Sequence, residues 1–339
     1  MAEEIRKVQR DGNVEAFRCL LMFLIVAYHT FLHSPFSGSK ALWTVCFTTL
    51  ICWHVDGFLA IGGWFGMKFR WRKIFRIVGH MVFYGVLSCL YCWIVGAPLR
   101  SPVNYFFGAW FGASYLTLMF LAPAINWMLD KKVGKVNLGM FFVWTVGACL
   151  FASWVTGRFG KRMVPVQSFG IYSVSLMVFI YGFMQFLRKA LNGRSPRLCM
   201  LLLGAVTFVA LMPTCRLCDI AWQHVSGRRL SGIGAYFAAF DAPHTMMMAT
   251  VLLLLFVYYI RLPHWLGCSA LKLSPLIFGV YLCHATTSFG NRFYEIFDYL
   301  PANGFVAVLC AAIFVFGVSL GIEALRKLAV CFVIKVVRR

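Results

Sequence analysis

Charge is what this sequence has least of, and negative charge least of all. Only 13% of its 339 residues are charged, and Asp and Glu number 11 against 32 Lys and Arg, a formal net charge of +21. A soluble domain coats itself with charged side chains at about 25% of its residues. The shortfall, set beside 61% hydrophobic residues and a mean hydropathy of +0.78, excludes an ordinary water-soluble fold. A disulfide framework is also missing: the 13 cysteines are scattered, most of them inside apolar runs. Cys215 and Cys218 form one CxxC with Asp219 and His224 nearby, readable as a loop disulfide or a weak metal site. A second ligand pair with zinc-like spacing is lacking, so no metal is expected. No GxGxxG or P-loop pattern cradles a phosphate. No internal repeat or low-complexity tract occurs, and no paired broken helices are expected, which weakens a transporter built on inverted repeats. The polar start, MAEEIRKVQRDGNVE, gives no cleavable signal peptide to expect.

What the sequence has is apolar length. A helix needs about 20 apolar residues to cross a bilayer, and ten spans fit: Ala16 to Phe31, Leu42 to Phe65, Ile77 to Ala97, Phe106 to Leu129, Val136 to Val155, Phe169 to Leu187, Leu198 to Pro213, Pro243 to Ile260, Leu273 to Phe289 and Phe305 to Leu325. The expected fold is all-α, a polytopic helical bundle in one domain over residues 1–339. The cations fall between the runs, so they report topology and not a nucleic-acid surface. With the N-terminus inside, inner segments carry clusters such as Lys68, Arg70, Arg72, Lys73 and Arg76, or Arg188, Lys189, Arg194 and Arg197. Outer segments carry only Lys40, Arg100, Arg158, Lys161, Arg162, Arg216, Arg228, Arg229 and Arg292. Both termini are therefore expected in the cytoplasm, with the longest outer connection from Thr214 to Ala242.

Ionisable groups inside spans are costly and functional by default. Glu15, Arg18 and His29 lie on one face of the first span, the eleven-residue spacing of Arg18 and His29 putting them about 16 Å apart along the axis. One reading makes this a functional polar stripe from the inner interface toward mid-membrane. The other pairs Glu15 with Arg18 near the surface and gives His29 a hydrogen bond to a neighbouring helix. The second span places Asp56 near its middle, with His54 on the other side of the helix, and Gly57, Gly62 and Gly63 serve close packing more readily than ligand approach. The basic, aromatic strip MKFRWRKIFRIVGH reads both as positive-inside anchoring and as an anion seat. Tyr281 and His284 share a face of the ninth span, and Asp241 before Pro243 reads as a helix N-cap.

Four stretches of this chain resemble the acyltransferase 3 family, the multi-spanning membrane acyltransferases that modify bacterial surface glycans. NVEAFRCLLMFLIVAYH carries the family's Arg-x10-His arrangement in Arg18 and His29. HVDGFLAIGGWF resembles its VDLFFVISGYL-type second helix, and RKIFRIVG the basic segment that follows. FFGAWFGASYLTLMFLAPAIN, with Trp110, is similar to a pattern of the polysaccharide-modifying branch, and IFGVYLCH to its GIYLIH segment. The chain departs from the family at Gly62, Gly63 and Trp64, where serine-glycine-aromatic is usual, at Lys73 and Arg76 in place of an Arg-x-x-Arg pair, and at Gly79, where proline is usual. The resemblance implies an O-acyltransferase in the bacterial inner membrane that moves an acyl group, in the first instance acetyl, from cytosolic acyl-CoA to a glycan hydroxyl, with acyl-CoA as co-substrate and no permanently bound cofactor. His29 would be the catalytic base, or the carrier of a transient acyl group. Arg18, Lys73 and Arg76 would hold the CoA phosphates, with Glu15, Asp56, Trp110, Tyr281 and His284 in supporting or substrate-binding places. The partners are then the bilayer, acyl-CoA and a glycan, with oligomeric state open. The rival from another class is a secondary transporter using the same Glu, Arg, His and Asp as a substrate or proton pathway.

Overall fold

Backbone polar groups cannot be left to lipid, so each apolar run satisfies its own by coiling. A computed structural model describes residues 11–37, 39, 41–98, 110–133, 136–157, 171–226, 242–300 and 303–337. Its helices are α1 (Gly12–Leu32), α2 (Leu42–Ile51), α3 (His54–Phe65), α4 (Trp71–Ile94), α5 (Trp110–Asp130), α6 (Leu138–Gly157), α7 (Ile171–Leu191), α8 (Leu198–Ser226), α9 (Pro243–Tyr258), α10 (His264–Leu273), α11 (Ile277–Thr286) and α12 (Gly304–Val337). Short 3-10 segments occur at Ser274–Leu276 and Gly290–Tyr299, and a two-residue β ladder pairs Lys132–Val133 with Val136–Asn137. Among the described residues, eight helical segments are long and apolar enough to cross a membrane, with Leu138–Phe151 and Pro243–Tyr258 as shorter apolar helices. The protein is a polytopic helical membrane protein.

The first helix is the axis of the bundle. Asp11 caps it by accepting from the Asn13 amide at 2.8 Å. One side of α1, with Val14, Phe17 and Leu21, joins a core shared with α3, α5, α7 and α9. The other side, with Met22, Ile25 and Val26, packs against α4, α11 and α12. Phe17 stacks on Phe256 at 4.7 Å between centroids and on Trp53 at 6.2 Å. Gly63 lets α3 lie on α7, since a Cβ there would come within 2.8 Å of the Tyr181 carbonyl oxygen. That is the packing role expected of the second-span glycines.

Several boundaries differ from the sequence expectation. The second span is not continuous: α2 stops at Ile51 and α3 begins at His54. Side chains at the break cover carbonyls that the helix leaves, Trp53 Nε1 donating to Leu50 O at 2.6 Å and Cys52 Sγ to Thr49 O at 3.1 Å. Both residues are buried, which is where irregular backbone is tolerated at membrane depth. Asp56 thus sits in the first turn of α3, where the positive end of the helix dipole favours a carboxylate, and not mid-helix. The ninth span begins earlier than the expected Leu273: the membrane-length segment runs from His264 to Ala285, and a 3-10 turn at Ser274–Leu276 carrying Pro275 interrupts it between α10 and α11. The seventh runs on to Ser226, with Pro213 inside the helix, so Thr214 to Ser226 is helix and not connection. Cys215 and Cys218 therefore lie on α8 as free thiols, not in a loop disulfide. The cap of α9 is Ala242; Asp241, like Lys40, Arg100, Arg158, Lys161, Arg162, Arg228 and Arg229, lies outside the described residues.

Candidate active site

The two broken spans, α1, α4 and the start of α5 enclose a cavity of about 330 Å³. Its walls bring together Arg18 and His29 of α1, His54 and Gly62 of α3, Lys73, Arg76 and His80 of α4, Phe111 and Tyr115 of α5 and Tyr281 of α11, with Met22, Ile25, Phe58, Ile61 and Phe278 as the apolar lining. The volume falls at the small end of ligand pockets, which hold roughly 300–1,000 Å³. Arg18 lies near the start of α1 and Lys73 and Arg76 in the first turns of α4, the helix ends expected on the cytosolic side from the loop charges, and His29 lies about three turns further along α1.

Side-chain contacts fix the tautomer of His29. His284 Nδ1 lies 2.7 Å from the carbonyl oxygen of Val280, which can only accept, so Nδ1 of a neutral His284 carries the proton and Nε2 the lone pair. His29 Nδ1 lies 3.1 Å from that Nε2 and must donate to it. The free lone pair of His29 is then on Nε2, the nitrogen that a proton-accepting role requires. Tyr281 lines the cavity and meets the His284 ring edge to face at 6.3 Å. Of the pair expected on one face of the ninth span, His284 thus reaches His29 through a hydrogen bond, and Tyr281 packs against His284 at the cavity wall.

Arg18 is paired with Glu15 and also lines the cavity. Its Nη1 donates to Glu15 Oε1 at 2.6 Å, with Glu15 buried and Arg18 part-exposed, and Arg18 still lines the cavity. Glu15 itself does not line the cavity. Asp56 is fully buried but does not line the cavity, whereas His54, on the opposite face, does. Trp110 opens α5, and its side chain lies outside the described residues.

One cluster escapes the sequence reading. Glu323 of α12 is fully buried; Arg326 donates to it from Nε at 2.7 Å and from Nη2 at 2.6 Å, and the Tyr84 hydroxyl donates at 2.9 Å. His80 gives its Nδ1 proton to Arg76 O at 2.7 Å and receives Arg326 Nη2 on Nε2 at 2.6 Å. The network ties α12 to α4 directly behind the cavity wall. A usable signal existed: Glu323 and Arg326 repeat the i,i+3 acid and arginine spacing of Glu15 and Arg18 inside an apolar run.

A family model for the acyltransferase domain, acyltransferase 3, matches residues 11–324, nearly the whole chain. Comparison with curated proteins and with solved structures finds no match.

Proposed function

As the chain belongs to the acyltransferase 3 family, we propose that this integral membrane acyltransferase takes an acyl group, acetyl in the first instance, from cytosolic acyl-CoA and places it on a hydroxyl of an extracytoplasmic or lipid-linked glycan. The bacterial inner membrane is the proposed location, and the whole chain is proposed to act as one domain. The observation that carries the reading is the hydrogen bond from His29 Nδ1 to His284 Nε2, which leaves a lone pair on His29 Nε2 beside a cavity whose other end holds three cations. A hydroxyl is a poor nucleophile at neutral pH and needs a base within hydrogen-bond reach. His29 Nε2 takes the hydroxyl proton as the oxygen attacks the thioester carbon, and returns it to the departing thiolate as the carbon–sulfur bond breaks. His284 holds the imidazole in the accepting tautomer and receives a stronger hydrogen bond when His29 is charged. Arg18, Lys73 and Arg76 match the charge of CoA phosphates, Arg18 by a planar fork. The small cavity suits a pantetheine arm with a short acyl group, the nucleotide remaining at the mouth.

The transporter reading loses one of its counterarguments, since two spans are broken after all. It fails to use a histidine held as a one-sided proton acceptor, and the acyltransferase family match weighs against it. Purified protein in detergent, given acetyl-CoA and a neutral oligosaccharide, is expected to free CoA thiol and acetylate the sugar in equal amounts. Binding of acetyl-CoA without thiol release across a panel of hexose, pentose and amino-sugar acceptors would contradict the assignment.

A further inference from the structure

The chemistry above leaves one charge without a partner. As the acceptor oxygen bonds to the thioester carbon, the carbonyl oxygen becomes an oxyanion, and sites that speed acyl transfer aim a fixed hydrogen-bond donor at it. Arg18, Lys73 and Arg76 stand at the phosphate end, and His29 is engaged with the hydroxyl proton. His80 has both ring nitrogens engaged, by Arg76 O and by Arg326. His54 differs from these. It is only 6% exposed, it lines the same cavity, and neither of its ring nitrogens has a hydrogen-bond partner among the described residues. Among the described residues, no other one lining the cavity has a buried side-chain nitrogen or oxygen in that condition. Both nitrogens are fully buried, so a rotation of the ring toward the cavity is needed for either to meet a bound group, and leaving them unpartnered costs free energy. It also stands at the right depth, since its ring meets Tyr28, the neighbour of His29, edge to face at 5.4 Å.

We propose that His54 is the oxyanion donor of this active site: its ring N–H binds the thioester carbonyl oxygen of the acyl donor and holds the negative charge of the tetrahedral intermediate. The broken span explains how a histidine comes to be there. His54 is the first residue of α3, and a continuous helix through Cys52 and Trp53 would have no N-terminus inside the bundle. The dipole at that end adds a favourable potential for the developing anion, and a neutral imidazole at a helix start is an effective carbonyl electrophile. Proton accounting closes: the hydroxyl proton goes to His29 and on to sulfur, while His54 keeps its own proton and only shares it.

The inference rests on the acyltransferase reading but has its own readout. Acetyl-CoA labelled with 13C at the thioester carbonyl is titrated into wild-type protein in detergent, and the bound carbonyl resonance is followed. A downfield shift on binding is expected in the wild type and in His29→Ala, and its loss in His54→Phe, which keeps the ring contact with Tyr28 and still binds the donor. In turnover, His54→Phe and His54→Ala should lose about 10²- to 10³-fold in kcat with KM for acetyl-CoA little changed, and His54→Gln should recover part of it. A carbonyl shift that survives in folded His54→Phe, or kcat within tenfold of wild type in both variants, would overturn the role of His54 and leave His29 standing. Failure of the wild type to bind acetyl-CoA at all would instead remove the acyltransferase reading, and this inference with it.

Discussion

At the scale of single residues, His29, His284 and Arg18 carry separable work. His29→Ala removes the base and should cut transfer about 10²-fold or more. His284→Ala leaves His29 in place but frees its tautomer, so a smaller loss is expected, roughly 10- to 100-fold, with donor affinity unchanged. Transfer by His284→Ala within twofold of wild type would show that the His29–His284 bond is only packing. Arg18→Ala should weaken CoA thioesters far more than the pantetheine thioester that lacks the phosphates, and Arg18→Lys should restore only part of the loss. Calorimetric titration with both donors decides; equal losses would mean that Arg18 serves Glu15 alone, a pairing the structure does contain. The Arg18 and His29 face was legible because helical spacing is local. The His29 contact was not, since its partner lies 255 residues away and no periodicity reports which helix of a bundle faces which. Likewise, spacing put His54 opposite Asp56, but nothing in the sequence said that its side of the helix faced the cavity.

At the scale of elements, the weak points of the sequence reading were the prolines and the helix breaks. Pro275 falls in a 3-10 turn between helices and Pro213 inside a helix, a difference invisible in composition. Hydropathy gave the second span its length but could not register a two-residue break whose carbonyls are covered by Trp53 and Cys52. The α4–α12 junction is a second such case, because its members come from distant runs. Glu323→Gln leaves the part-buried Arg326 guanidinium without its counter-charge, and such removals cost up to about 3–5 kcal/mol where the pair is fully buried. A clear fall in Tm in detergent is expected, partly recovered in Glu323→Gln/Arg326→Met. An unchanged Tm for Glu323→Gln would show the network to be energetically idle. Gly279→Ala should behave similarly, since its Cβ would overlap the Glu323 carboxyl group.

At the scale of the whole molecule, composition alone was sufficient for a helical membrane protein, and the loop cations for a proposed orientation. The extended α8 sharpens the topology test. At 29 residues it is about 43 Å long, longer than the hydrocarbon core of about 30 Å, so its C-terminal turns stand clear of the bilayer. In a cysteine-free background, Val225→Cys should react with an impermeant thiol reagent in intact cells and Arg194→Cys should not; the reverse pattern would invert donor and acceptor sides. The central claim is that a histidine part-way through the membrane moves an acyl group out of a CoA thioester entering from the cations' side, and a vesicle experiment tests it most directly. Acetyl-labelled CoA is supplied to the cytosolic face of proteoliposomes with oligosaccharide acceptor on both faces, and label on sugar and free thiol are measured together for wild type and His29→Ala. The account predicts one thiol freed per acetyl group found on sugar, and a loss of about 10²-fold or more in the variant. Equal transfer by His29→Ala, or label crossing the membrane still attached to CoA, would contradict it.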